Sequence, residues 1–266
     1  MQIDKLQVAR QFSRAAVHYQ SVSHVQNKMA SELLQRLPEN LAKPSSVLDL
    51  GCGSGFLTAK LADRFNGAQV IGLDIAGGML QASKSYFPQV LVGIAKEPVL
   101  IQGDMESLPI ASASFELVVS NAALQWTNYG SSITEVERIL VPGGIAVLAT
   151  FIEGTLAEWR RALQSIGLNL AHEMHDQEFL AKIARQAGFE VITSESEEQR
   201  LPHSNLADLV RSTKRMGATN ALKERSRGLM GRGTYASLMN AIQKEFPDRE
   251  YYSNYRSGYL VLRKPK

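Results

Sequence analysis

Seven residues constrain this chain more than any others: Asp49-Leu50-Gly51-Cys52-Gly53-Ser54-Gly55. A short apolar run that ends in an acid, then glycine at every second position, then a helical pattern, describes a strand turning sharply into a helix. Bare backbone is left where a ligand can approach. The spacing also excludes one ligand class. A dinucleotide cradle needs Gly-x-Gly-x-x-Gly, and position 56 is Phe, so a pyrophosphate is disfavoured. The alternation continues downstream. Val47–Leu50, Val70–Leu73, Val99–Gln102, Leu117–Ser120 and Ile145–Phe151 read as buried strands separated by helical stretches. Pro142-Gly143-Gly144 reads as a turn feeding the fifth strand, and Glu190–Glu197 and Tyr251–Arg263 supply two more. The expected fold is α/β: a doubly wound, mostly parallel seven-stranded sheet.

Around that sheet the chain divides into four stretches. Residues 1–45 form an N-terminal helical segment, with Val8, Phe12, Ala16, Tyr19, Met29, Leu33 and Leu37 at mostly helical spacing. Residues 46–202 form the ligand-binding α/β domain. Residues 203–247 have a helical pattern broken by Gly217, Gly228, Gly231 and Gly233, which suggests a hinged helical lid, and 248–266 return as the final strand. The single cysteine, Cys52, excludes an internal disulfide and any multi-cysteine metal site; we read it as a small filler of the turn. The start, Met1-Gln2-Ile3-Asp4-Lys5, lacks the apolar core of a signal peptide. The longest apolar stretch, Gly144–Ile152, falls far short of the ~20 residues of a membrane helix. A cytoplasmic protein with no membrane partner is expected.

Each strand end contributes to one crevice, which is where open α/β sheets bind ligands. Asp49, Gly51, Cys52, Gly53 and Gly55 form the first turn. Asp74 closes the second strand about 20 residues on, where an acid grips a ribose diol; Ile75 and Met79 follow it. Asp104 with Met105, after the third strand, offers an acceptor for an adenine amino group and an apolar cover for its ring. On the fourth, Asn121 and Leu124 belong to Ser120-Asn121-Ala122-Ala123-Leu124-Gln125-Trp126, which closes the crevice from the other side.

This ordered set resembles the class I, Rossmann-like S-adenosylmethionine-dependent methyltransferases over about 46 to 151. The resemblance implies that Gly51, Gly53 and Gly55 cradle the amino-acid end of S-adenosylmethionine, that Asp74 binds its ribose, and that Asp104 with Met105 binds its adenine. Flanking segments narrow the family. Phe12-Ser13-Arg14-Ala15-Ala16-Val17-His18-Tyr19 with Gln26, then Asn121–Trp126, Met216-Gly217-Ala218-Thr219-Asn220 and Tyr259-Leu260-Val261-Leu262-Arg263-Lys264 resemble the malonyl-acyl-carrier-protein O-methyltransferases of biotin synthesis. That resemblance implies esterification of the free carboxylate of a malonyl thioester, on carrier protein or coenzyme A. Two departures stand out: Ser23, where a small apolar residue is expected, and the loosely specified run Gln89–Pro98.

The chemistry agrees. Methyl transfer from a sulfonium is mainly a matter of alignment, needs no metal, and a carboxylate acceptor, already ionised near pH 7, needs no general base. Such an acceptor does need donors and a dry pocket. Arg14, His18, Tyr19, Gln125, Trp126 and Lys214 are the candidates. Between Arg200 and Arg232 lie eight basic residues (Arg200, Arg211, Lys214, Arg215, Lys223, Arg225, Arg227, Arg232) against two acids (Asp208, Glu224), a local excess of +6 in a chain of net charge +3. An acidic acyl-carrier protein would be steered to such a lid. Nucleic acid is not expected, because no aromatic residues interleave the basic ones. A methyltransferase for another small acid, an amine or a quinol, a catalytically idle binding module, and a nicotinamide-dependent oxidoreductase, which Phe56 disfavours, are the competing readings.

Overall fold

A computed structural model describes residues 4–168, 174–215 and 232–266, with backbone alone at 20–22, 214, 215 and 232. Contacts divide the chain into two units. One comprises Met1–Thr150, Asp176–Ser196 and Gly258–Lys266; the other comprises Phe151–His175 and Glu197–Ser257.

The first unit opens with α1 (Lys5–Val22), capped by the Asp4 carboxylate, which accepts from the Gln7 N–H at 3.0 Å and so satisfies one donor that the first turn leaves unpaired. The helical leader is in fact two helices. Ser23, buried, interrupts the pattern, and α2 (His24–Gln35) follows. Next come β1 (Ser46–Leu50), α3 (Phe56–Arg64), β2 (Gln69–Asp74), α4 (Gly77–Val90), β3 (Val99–Gln102), β4 (Phe115–Asn121), α5 (Tyr129–Ile139) and β5 (Leu140–Phe151). The chain ends with α6 (Ala157–Ser165), α7 (Gln177–Gln186), β6 (Glu190–His203), α8 (Leu206–Arg215), α9 (Arg232–Glu245) and β7 (Tyr251–Arg263).

The sheet has seven strands in the order β3-β2-β1-β4-β5-β7-β6. Four parallel ladders join β3 through β5. The expectation of a mostly parallel sheet is corrected by β7. Gly143 N–H donates to the Lys264 carbonyl while Ile152 N–H donates to the Arg256 carbonyl, so partner numbers fall along β7 as they rise along β5. That is antiparallel pairing, and the sheet is mixed. Helices α8 and α9 lie between β6 and β7 in the chain, and a strand entering from a helical stretch can run either way. Pro142-Gly143-Gly144, expected as a turn, lies inside β5: Phe115 pairs with Leu140 but Leu117 with Ile145, so these residues bulge from the ladder.

The strand order reverses between β1 and β4, the place where such sheets open a crevice. Val47, Leu48, Leu50, Leu117, Val118 and Val119 there are fully buried, as strands covered on both faces require. The second unit has its own core, in which Trp159, Leu163, Leu238, Ile242 and Phe246 are buried. Within 203–247 the structure describes α8 and α9. Met216–Asn220, Gly217, Gly228 and Gly231 lie outside the described residues, and Gly233 sits in α9.

Candidate cofactor site and its relatives

The glycine turn is fixed by backbone. Gly51 and Cys52 N–H groups both donate to the Leu73 carbonyl of β2, at 2.7 and 3.0 Å. Gly51 has φ +78, and a Cβ on it would collide with Ala123 Cβ, so glycine is needed to admit the chain that follows β4. Gly53 differs. With φ +54, it would aim a Cβ into space whose nearest atom is Tyr19 Cε1 at 4.0 Å. Gly53 therefore faces open space, where Gly51 faces protein.

That space is a cavity of about 660 Å³, open to solvent and contained within the first unit. Its floor is the row of strand ends. Gly51 and Gly53 follow β1; Asp74 and Ile75 end β2, with Met79 behind; Gly103, Asp104 and Met105 follow β3; Asn121, Ala122 and Ala123 end β4. Asp74 is held firmly: its Oδ2 accepts from Gly53 N–H and its Oδ1 from Ala76 N–H, both at 2.8 Å. Burial nevertheless pushes its carboxyl above the usual carboxylate range, which favours hydroxyl donors that would stabilise the charge.

Other expected residues lie outside the cavity lining. Asp49 is buried under the turn, accepts from the Thr58 hydroxyl at 2.6 Å, and is pushed up to about 7 by burial, opposed by that hydrogen bond and reinforced by the charge of Asp74. Cys52 is buried, with its thiol pushed well up by burial, which fits a filler and not a nucleophile. Gly55 packs against Ser83 and Phe87, and Leu124 is core.

The acceptor candidates separate in the same way. Tyr19 and Trp126 line the cavity, joined by Phe12, whose ring stands edge-on to both, with centroids 6.2 and 5.3 Å away. Gln125 is occupied elsewhere: its amide donates to the Ala122 carbonyl at 2.7 Å and accepts from Thr150 at 2.8 Å. Arg14 and His18 are exposed, and the Lys214 side chain lies outside the described residues.

The structure adds two features that sequence reasoning missed. Lys5 and Val8 line the cavity together with Phe12 and Tyr19, so one stripe of α1 makes a wall. The spacing of three, four and seven residues is that of one helix face, but nothing local in the sequence sets Lys5 apart from any charged residue at the start of a helix. The second is an orphaned acceptor. Asn121 Nδ2 donates to the Gln26 carbonyl at 3.0 Å, which fixes the amide orientation, and leaves Asn121 Oδ1 buried without a partner.

These features fit S-adenosylmethionine. With a ribose at Asp74 on β2, the strand order puts one end of the ligand at β3, beside Asp104, and the other at β1 and β4. There the Gly53 gap and the unpaired Asn121 Oδ1 suit the α-ammonium, a strong donor.

The methyltransferase domain family model matches residues 48–148. A malonyl-[acyl-carrier protein] O-methyltransferase of Methylovorus sp. (strain MP688) is 36% identical, covering 99% of this chain and 90% of that protein. Another, of Gallionella capsiferriformans (strain ES-2), is 33% identical over 99% of this chain and 92% of its own. The bifunctional biotin biosynthesis protein BioHC of Cellvibrio japonicus (strain Ueda107) is 35% identical over 99% of this chain, which spans 51% of that protein's length. Among solved structures, the YcgJ protein of Bacillus subtilis superposes with a TM-score of 0.63 at 14% identity, covering 90% of this chain and 99% of that one. A geranyl diphosphate methyltransferase solved in complex with S-adenosylmethionine gives 0.57 at 14% identity, over 90% and 85%; at such identities these two speak for the fold alone. The relatives speak for more: this chain belongs to the malonyl-[acyl-carrier protein] O-methyltransferase family of S-adenosylmethionine-dependent enzymes.

Proposed function

We propose that the enzyme methylates the free carboxylate of a malonyl thioester, delivered on acyl-carrier protein or coenzyme A, as a step of biotin synthesis in the cytoplasm. One observation supports the carboxylate acceptor most. The ionisable side chains among the described residues lining the cavity are Lys5, Tyr19, Asp74 and Asp104, with no histidine or cysteine. Tyr19 is pushed up to about 12 by burial and by the nearby charge of Asp74, so it stays protonated at neutral pH and cannot act as a base. Asp74 is tied by backbone N–H groups to the glycine turn and to its own loop, and Asp104 to its own loop. A cavity without a free base suits an acceptor that arrives ionised, and a carboxylate does.

Bound S-adenosylmethionine supplies a methyl group on a sulfonium, open to in-line attack by an oxygen. The chain's residues do the positioning. Asp74 orients the ribose, Asn121 takes the ammonium, and Met105 covers the adenine. Phe12, Tyr19 and Trp126 form the apolar wall that keeps water from the acceptor oxygen, while the Tyr19 hydroxyl donates to the carboxylate. Methylation removes the acceptor's charge, so the product can be treated as an apolar acyl chain. The 203–247 stretch is proposed as a lid whose basic residues recruit an acidic carrier. Arg211 is exposed, as that role requires, and the side chains of Lys214, Arg215, Lys223, Arg225, Arg227 and Arg232 lie outside the described residues.

The test is incubation with labelled S-adenosylmethionine and malonyl, succinyl and acetyl thioesters, with methyl esters read by mass spectrometry. Label on the malonyl substrate is expected; label on acetyl thioester, which has no free carboxylate, would contradict the reading. Tyr19→Phe keeps the ring and deletes the donor. Turnover should fall about tenfold, the worth of one hydrogen bond to a charged group, with S-adenosylhomocysteine affinity within about twofold of wild type. Unaltered turnover would return Tyr19 to packing.

A further inference from the structure

The adenine end of the cavity carries an ion-pair network that the roles above leave unused. Lys5, in the first turn of α1, places Nζ 2.7 Å from Asp104 Oδ2 and 2.9 Å from Glu106 Oε2. Asp104 is itself oriented, because its Oδ1 accepts from the Glu106 N–H at 2.9 Å. An ammonium has three N–H donors. Two point at these carboxylates, and no described residue takes the third. Lys5 is also the one cation among the described residues lining the cavity. Its side chain is 35% exposed, against the near-complete exposure of an ordinary surface lysine, and the two carboxylates keep it charged and fixed in place.

A purine reads this arrangement directly. Adenine presents an amino donor flanked by ring-nitrogen acceptors, N1 on one side and N7 on the other. Asp104 Oδ2 and Lys5 Nζ present an acceptor beside a donor. We infer that Lys5 is a specificity-determining residue for the cofactor: Asp104 accepts from the adenine amino group while the third Lys5 N–H donates to the ring nitrogen next to it. The inference rests on the cofactor reading above. It has a structural corollary, since Lys5 belongs to α1: the purine closes a contact between the strand-end wall and the helical wall of its own cavity.

Calorimetry with S-adenosylhomocysteine and its 1-deaza and 7-deaza analogues tests this. Each analogue exchanges one ring nitrogen for C–H and keeps the amino group. Wild-type protein should bind one of the two ~10-fold more weakly than the parent, the scale of one hydrogen bond from a charged donor. Lys5→Met should bind the parent ~10-fold more weakly than wild type does, and should no longer distinguish it from that analogue. Glu106→Gln, which loosens the Lys5 anchor from outside the cavity lining, should fall between the two, and it provides the same test should Lys5→Met melt at a lower temperature. Equal weakening of all three ligands by Lys5→Met would make the lysine a tether for α1 and overturn the inference. So would a wild type that binds all three alike. A wild type that binds no S-adenosylhomocysteine at all would instead remove the cofactor reading on which the inference stands.

Discussion

The two walls of the candidate cofactor cavity are held by different forces. On the sheet side the geometry is set by backbone: Gly51 and Cys52 N–H groups hang from the Leu73 carbonyl, and Gly53 and Ala76 N–H groups grip Asp74. On the α1 side it is set by side chains. Lys5 pairs with Asp104 and Glu106, Ser13 Oγ accepts from Gly78 N–H at 3.2 Å, and Phe12 packs edge-on against Trp126. Backbone clamps between strands give way only with the strands themselves, whereas a side-chain latch can open while the sheet stays intact. The sheet wall is thus the stiffer mould, and the helical wall is the one expected to yield when the proposed ligand enters.

The hardest blow to the mould is Gly51→Ala. The left-handed backbone costs an L-residue roughly 1–2 kcal/mol, and the new Cβ must also displace Ala123. Melting should drop by about 5–10 °C. S-adenosylhomocysteine affinity should fall by ~100-fold or more, equivalent to about 2.7 kcal/mol. Thermal melting and calorimetry check both. A variant with wild-type affinity would show that the turn can move, and the contrast between the walls would collapse.

Next in size is Asp74→Ala, which weakens the cofactor by about 1.5–3 kcal/mol because a charged acceptor for two hydroxyls is lost. The structure sharpens this expectation. The same substitution orphans the Gly53 and Ala76 N–H groups, so some loss of melting temperature must accompany it. Unchanged affinity with a lowered melting temperature would make Asp74 a clamp of the turn and not a ribose ligand.

The contrast also explains what could be read from the sequence. Strand ends announce themselves locally. A run such as Val47–Leu50 followed by Asp49's glycine-rich turn fixes position, direction and exposed backbone within a dozen residues, and Asp74, Asp104 and Asn121 follow from the repeat of the same unit. Residues whose role depends on distant packing were less legible. Gln125 sits beside Trp126, but a hydrogen bond from Thr150, 25 residues away, turns it inward. His18 and Tyr19 are adjacent, and a helix must point them about 100° apart, so one lines the cavity and the other meets solvent. Lys5 was missed because its partners are 99 and 101 positions away. The direction of β7 was missed because alternation of residue types marks a strand and not its sense.

The last test lies beneath the mould, at Asp49. Burial raises its carboxyl to about 7, against near 4 in an unfolded chain, with the Asp74 charge adding to the rise and the Thr58 hydroxyl opposing it. The sign follows from proton counting. Between these two values the unfolded chain has released the proton and the folded chain still holds it, so stability falls as pH rises from about 4, and the loss is complete above about 7. Asp49→Asn abolishes that titration while keeping an acceptor for Thr58. The melting temperature of the variant minus that of wild type should therefore become more positive from pH 5 to pH 7.5 and then level off. Asp74, whose carboxyl is also raised by burial, is present in both proteins, and because its charge helps to raise Asp49 the difference reports the coupled pair. Tyr19 on the helical wall, near 12, does not titrate in this window. A difference that stays flat across the range would mean that Asp49 is already ionised under the turn. The sheet wall would then hold a buried charge that the ligand's own positive groups help to offset, and adding S-adenosylmethionine, but not 5′-methylthioadenosine, should raise the melting temperature more than cofactor contacts at Asp74 alone explain.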